Sequence, residues 1–184
     1  MATTTFRFSG GSRGDWQIVR TTVLCGDGLA AAPYLSVDAD AAAPGDALWS
    51  LRGFVSNTRY ATRVETTELR LVQQGLGRPQ ARQAALIPIR KTAAWWDLPQ
   101  DERRAIFEET SHHTRIGMDY LPAIARRLYH SRDLGEQFDF LTWFEYAPEH
   151  GAAFDELLAR LRATQEWTYV DREIDIRLAL AGGA

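Results

Sequence analysis

Cysteine is nearly absent from this sequence: Cys25 is the one thiol in 184 residues. No disulfide can therefore form within the chain, and no cluster of Cys and His has zinc-ligand spacing. Long apolar runs are missing too. No stretch reaches the roughly 18 residues a membrane helix needs, and MATTTFRFSGGSRGDW has Thr, Gly and Ser where a secretory leader is apolar. The expectation is a cytoplasmic protein that crosses no membrane. Positive charge is not in excess, with 21 Lys and Arg against 24 Asp and Glu for a net charge of -3, which removes the general electrostatic case for nucleic acid. Paired glycosidase acids, a phosphate-cradling glycine loop and a nucleophile elbow are also lacking. GLG at 75–77 reads as a helix C-cap, and Ser111 and His112 are merely adjacent.

What is present is an ordinary core-forming composition, 45% hydrophobic, with periodicities that are clearest in the second half. AALIPIR, Ala84 to Arg90, predicts a strand, and Pro88 within it predicts an edge position or a bulge. A helix is predicted from about Pro99 to about Thr114, with Asp101 and Glu102 complementing its N-terminal dipole. ARRLYHSRD and FDFLTWFEY then form a hairpin around Gly135, with Phe138, Phe140, Phe144 and Tyr146 on one face. Phe154, Leu157, Leu158 and Leu161 have the spacing of one buried helical stripe. REIDIRLAL alternates Ile174, Ile176, Leu178 and Leu180 with Glu173, Asp175 and Arg177, predicting a closing strand.

The order β-α-β-β-α-β is the ferredoxin-like split unit. Residues 1–83 read as a shortened copy: strand DWQIVRTTVL, a low-complexity loop from Gly28 to Asp46, strand ALWSLRGFV, and helix TTELRLVQQ ending at Gly75. The fold class expected is α+β, with halves 1–83 and 84–184 forming one compact unit. Its two sheets would pack face to face as a barrel-like body with a groove along one side.

His113 lies seven residues after Ile106, a net rotation of about 20° on the predicted helix, so it points inward. An inward histidine on its own reads as packed core. Arg126, thirteen residues on, is close enough in sequence to reach the other face of a flat cofactor, and Glu166 opens the loop before the last strand. By default Arg126 and Arg127 would be a solvated pair and Glu166 a surface acid. Lys91, Trp95 and Trp96 follow the first strand of this half, where the indoles offer a flat apolar wall, and Met118 is assigned to packing.

From about Lys91 to Val170, and specifically in HTRIGMDYLPAIARRLYHSRDL followed by FDFLTWFE, the sequence resembles the chlorite dismutase family. The resemblance implies a haem b enzyme of the dimeric α+β barrel type that converts chlorite to chloride and dioxygen. It implies His113 rather than His112 as axial iron ligand, Arg126 as distal cation, and Glu166 as partner of the axial imidazole. Lys91, Trp95 and Trp96 would lie near the propionates, with Tyr60 and Ile87 as further cofactor contacts. Gln73 or Gln74 would border the entrance, and the distal wall would carry neither His nor carboxylate for acid-base work on peroxide. The short N-terminal half is similar to that of compact, homodimeric members. One departure stands out: where longer members carry a tryptophan seven residues past the acid, this chain has Glu173. Alternatives within the superfamily are a coprohaem decarboxylase, which lacks the distal arginine, and a haem peroxidase that pairs it with an aspartate. A non-enzymatic haem carrier is a third.

Overall fold

A computed structural model describes residues 4–55, 63, 67, 72 and 75–182. Eight strands close into one antiparallel barrel: β1 Thr5–Gly11, β2 Trp16–Cys25, β3 Tyr34–Ala39, β4 Trp49–Phe54, β5 Gln83–Lys91, β6 Ala125–His130, β7 Phe140–Tyr146 and β8 Val170–Leu180. Their order around the barrel is β1-β3-β2-β8-β5-β7-β6-β4. This corrects the expectation of two separate sheets packed face to face. The α+β class stands, but the sheet is continuous, and among the described residues the barrel closes where Phe54 of β4 pairs with His130 of β6.

Two strands escaped the sequence reading. β1 carries only Phe6 and Phe8 as apolar alternation before Gly10 and Gly11 end the pattern, and β3 lies inside the Ala/Pro/Asp segment read as loop. Both gain their place from pairing partners distant in sequence, β1 lying between β3 and β4. Pro88 likewise sits in no edge strand, because β5 pairs with β7 on one side and β8 on the other. The β8 ladder skips Ile87 and Pro88, which is how a residue without an N–H is accommodated in a central strand. The helix expected over 66–74 falls almost wholly outside the described residues, although Thr67 and Val72 are helical.

The helices are α1 Ala93–Asp97, α2 Gln100–Arg104, α3 His113–Met118 and α4 Gly151–Arg162. Strand alternation divides the core in two. Phe8, Leu51, Leu86, Tyr129, Leu141, Trp143 and Ile176 fill the barrel. Ala85, Ile87, Ile89 and Phe144 face outward and are covered by Ile124 and by the stripe Phe154, Leu157, Leu158 and Leu161 of α4. Phe138, expected to share the face of Phe144, precedes β7 and packs in the barrel instead. Among the described residues no helix is long and apolar enough to cross a membrane.

The second face of β8 is not solvated. Glu173 and Asp175 are buried under α4, where Arg162 reaches Glu173 at 2.7 Å and Asp175 at 3.2 Å. Removing one partner of a buried ion pair leaves the other desolvated and uncompensated. Arg162→Ala should therefore cost about 3–5 kcal/mol in urea-induced unfolding of the protein.

Candidate functional site

The segment from Gln100 to Met118 is less regular than a single helix. After α2 it widens into a π-helical stretch, Ala105–Thr110, with Ser111 N–H donating to Ile106 O across five residues at 3.1 Å. His112 then takes a left-handed conformation, φ 52° and ψ 37°, and α3 starts at His113. The rotation counted from Ile106 does not apply through such a break. His113 nevertheless lines a cavity between the outer face of β5, β6 and β7 and the covering helices. The break itself delivers it there, with Glu108 Oε2 accepting from the Thr114 N–H at 2.8 Å. The Phe107 ring also stacks on the imidazole, with centroids 4.4 Å apart.

Glu166, in a 3₁₀ turn of Gln165–Tyr169, is buried at 4% exposure and was no surface acid after all. Its Oε2 lies 2.7 Å from His113 Nδ1, its Oε1 accepts from Lys91 Nζ at 2.7 Å, and its backbone N–H donates to Ser111 Oγ at 2.9 Å. Burial would raise the carboxyl's pKa, but the adjacent charges and hydrogen bonds of His113 and Lys91 outweigh it and pull it down to about 2. An ionised carboxylate only accepts, so Nδ1 carries the proton and Nε2 is the nitrogen left for the cavity. For Lys91 the balance runs the other way. Burial lowers its pKa, outweighing the opposing charges of Glu166, Asp139 and Glu173.

Lys91, at the end of β5, is buried beside Glu166. Its Nζ is committed to Glu166 and lies 4.6 Å from the Trp95 ring centroid. The tryptophan pair is also split. Trp95 is buried against the cavity, whereas Trp96 turns outward, stacks on Phe140, and donates to Asp139 Oδ2 at 3.2 Å. Ile87 is buried in the cavity wall. Tyr60, Gln73 and Gln74 lie outside the described residues.

On the sheet wall, Arg126, Leu128 and His130 alternate along β6 and all three line the cavity. Arg126 is registered with Phe144, and Leu128 with Thr142. Burial lowers the pKa of the Arg126 guanidinium, and the charge of Glu166 partly restores it. A cation so placed gains from an anion brought within reach. Arg127, one step along, falls on the opposite face of β6 with Tyr129 and is itself exposed. His130 is buried on this wall and was not singled out in the sequence reading, which expected no histidine there suited to acid-base work on peroxide. The signal was there, since strand periodicity puts it on the face of Arg126 two pairs away.

The donor set suits a metal that brings its own macrocycle. Among the described residues no group of three or more His, Cys, Asp or Glu is placed to hold a bare ion. What the cavity offers is one imidazole with its tautomer set, a second, His130, on the sheet wall, aliphatic and aromatic walls from Ile87, Ile89, Leu128, Phe140 and Leu157, and one guanidinium. That combination fits haem.

Comparisons with known proteins agree in direction. The family model described as chlorite dismutase matches residues 40–180. A dimeric chlorite dismutase from Nitrobacter winogradskyi is 56% identical, with a TM-score of 0.90 over 96% of this chain and 99% of that one. A chlorite dismutase from Candidatus Nitrospira defluvii, solved in complex with imidazole, is 28% identical with a TM-score of 0.57, over 79% of this chain and 56% of that one. The curated chlorite dismutase of Ideonella dechloratans is 35% identical over 88 residues, which make up 48% of this chain but only 29% of that protein. With the family model matched over most of its length and a solved member aligned almost end to end, the chain belongs to the chlorite dismutase family.

Proposed function

We propose that this protein binds haem b through His113 and converts chlorite to chloride and dioxygen, with Arg126 facing the anion. The observation that carries the reading is the cavity itself, with a Glu166-anchored imidazole on its helical side and Arg126 on its sheet side. Bound there, haem supplies a Lewis-acidic, redox-active iron at which a chlorine-oxygen bond can be broken.

The remaining work falls to the chain. Glu166 holds the His113 ring by its Nδ1–H, which fixes the tautomer and makes the imidazole a stronger donor. Lys91 holds Glu166 in turn, and Ser111 ties its backbone. Arg126 is cationic and planar and cannot serve as a base, so it attracts chlorite and then retains the chlorine-oxygen fragment until the oxygen-oxygen bond has formed. The apolar walls keep water from competing for that fragment. Trp95 and Ile87 form part of those walls, while Trp96 borders the cofactor's outer edge.

Homodimerisation, as in the Nitrobacter winogradskyi protein, is part of the proposal. So is the division into halves 1–83 and 84–184, which meet within one barrel. A coprohaem decarboxylase is disfavoured because Arg126 occupies the cavity wall.

The ferric protein should evolve oxygen from chlorite on an oxygen electrode, and Arg126→Ala should lose at least tenfold in turnover or bleach sooner. A haem-replete sample that yields no oxygen overturns the assignment. His113→Ala should abolish the stable Soret band while His112→Ala retains it, and the opposite pattern would move the ligand to His112. Glu166 adds a pH dependence. Its pKa is depressed in the fold to about 2, so its contribution to stability is full above the ordinary carboxylate range and is lost as pH falls from about 4.5 towards about 2. Glu166→Gln should lack that component in acid unfolding followed by circular dichroism.

A further inference from the structure

Two indoles, Trp95 and Trp167, line the cavity with His113, a third, Trp96, lies outside it, and the three differ in their electrostatic company. The Trp95 ring has the Lys91 ammonium 4.6 Å from its centroid, and the Trp96 ring has the Arg132 guanidinium at 4.1 Å. Trp167 meets Lys91 at the longer distance of 5.5 Å. A cation over an indole face stabilises the neutral ring but opposes removal of an electron from it, because the charge left behind is repelled.

Trp167 is also best placed to release a proton. Its Nε1–H donates to Glu173 Oε2 at 2.8 Å, and Glu173 is 2% exposed, with its other oxygen held by Arg162. Trp96 reaches Asp139 Oδ2 at the longer 3.2 Å, and that oxygen already accepts from the Lys91 backbone N–H at 2.7 Å. The Trp167 ring borders the cavity and lies nearly parallel to His113, with an interplanar angle of 18° and centroids 6.4 Å apart.

We propose that Trp167 is a one-electron donor to the bound cofactor and that Glu173 takes its proton. The inference rests on the haem reading above. The oxidant is haem that has lost two electrons to a peroxide, or to chlorite whose hypochlorite product has escaped. One electron passes from the indole to the oxidised haem, which is reduced by one. The Nε1–H bond breaks, and its proton moves to Glu173 Oε2. A neutral indolyl radical and a neutral carboxyl remain, the latter still holding Arg162 through Oε1. Because the proton leaves with the electron, no positive charge accumulates beside Lys91. An exogenous one-electron reductant returns the indole to its starting state, and the proton comes back from Glu173. The oxidising equivalent is thereby drawn away from the macrocycle. Glu173, where longer members have tryptophan, then serves as the proton acceptor for a tryptophan six residues earlier.

The test uses ferric holoprotein mixed with peracetic acid, freeze-quenched, and read by electron paramagnetic resonance. The expected signal is a neutral tryptophan radical whose splitting changes in protein grown on ring-deuterated tryptophan. It should be lost in Trp167→Phe and retained in Trp95→Phe and Trp96→Phe. In the unmutated protein the radical nitrogen should keep one exchangeable, hydrogen-bonded proton, removed in heavy water, and Glu173→Gln should lower the yield severalfold. A signal that survives in Trp167→Phe overturns the donor assignment. So does the lack of a tryptophan signal in a sample whose Soret band shows that the oxidant reacted, and in both cases haem binding stands. A radical nitrogen without the exchangeable proton overturns the part given to Glu173. Protein that takes up no haem overturns both readings.

Discussion

Glu166 is a carboxylate almost sealed from water, and such a group persists only if its charge is met on every side. Lys91 comes from the end of β5, His113 from the start of α3, and Ser111 from the turn before it. Each lies 53 or more residues from Glu166 in sequence. Satisfying one carboxylate therefore pins the barrel, the irregular 100–118 segment and the turn before β8 to one another. The same contacts that make burial of the charge tolerable also choose which nitrogen of His113 faces the cavity. Stability and the orientation of the imidazole are here one constraint.

Charge pairing of the same kind runs on beyond Glu166. Trp167, the next residue, donates to Glu173, Glu173 pairs with Arg162, and Arg162 reaches Asp175, which also accepts from Arg177. The covering helix α4 is thus attached to β8 by ion pairs along one side and to the sheet by its leucines on the other. Buried charge is concentrated on the side of the cavity that carries His113, whereas the opposite wall is apolar except for Arg126, Thr142 and His130. The polarity of the cavity is correspondingly one-sided.

How much of this was legible in the sequence depended on whether a signal was local. The stripe Phe154, Leu157, Leu158 and Leu161 and the alternation of β8 could be read directly, because helix and strand periods act over a few residues. The burial of Glu173 and Asp175 was hidden, since acids alternating with aliphatics look the same whether the second face meets water or Arg162. β1 and β3 were hidden for a related reason, their pairing being long-range. The inward direction of His113 was anticipated from a helical count that the structure breaks at His112, where a left-handed residue resets the helical phase. Only Glu166 and Lys91 show why the ring ends where it does.

The left-handed residue at 112 bears on what the cavity tolerates by way of change. A φ of 52° is reached at little cost by glycine or asparagine and at a greater one by side chains branched at Cβ. The aim of His113 is thus written into the backbone one residue before it as well as into the partners of its ring. A branched side chain at 112 would turn the imidazole aside while leaving Glu166, Lys91 and Ser111 as they are, so this site can be spoiled by a residue that touches none of its walls.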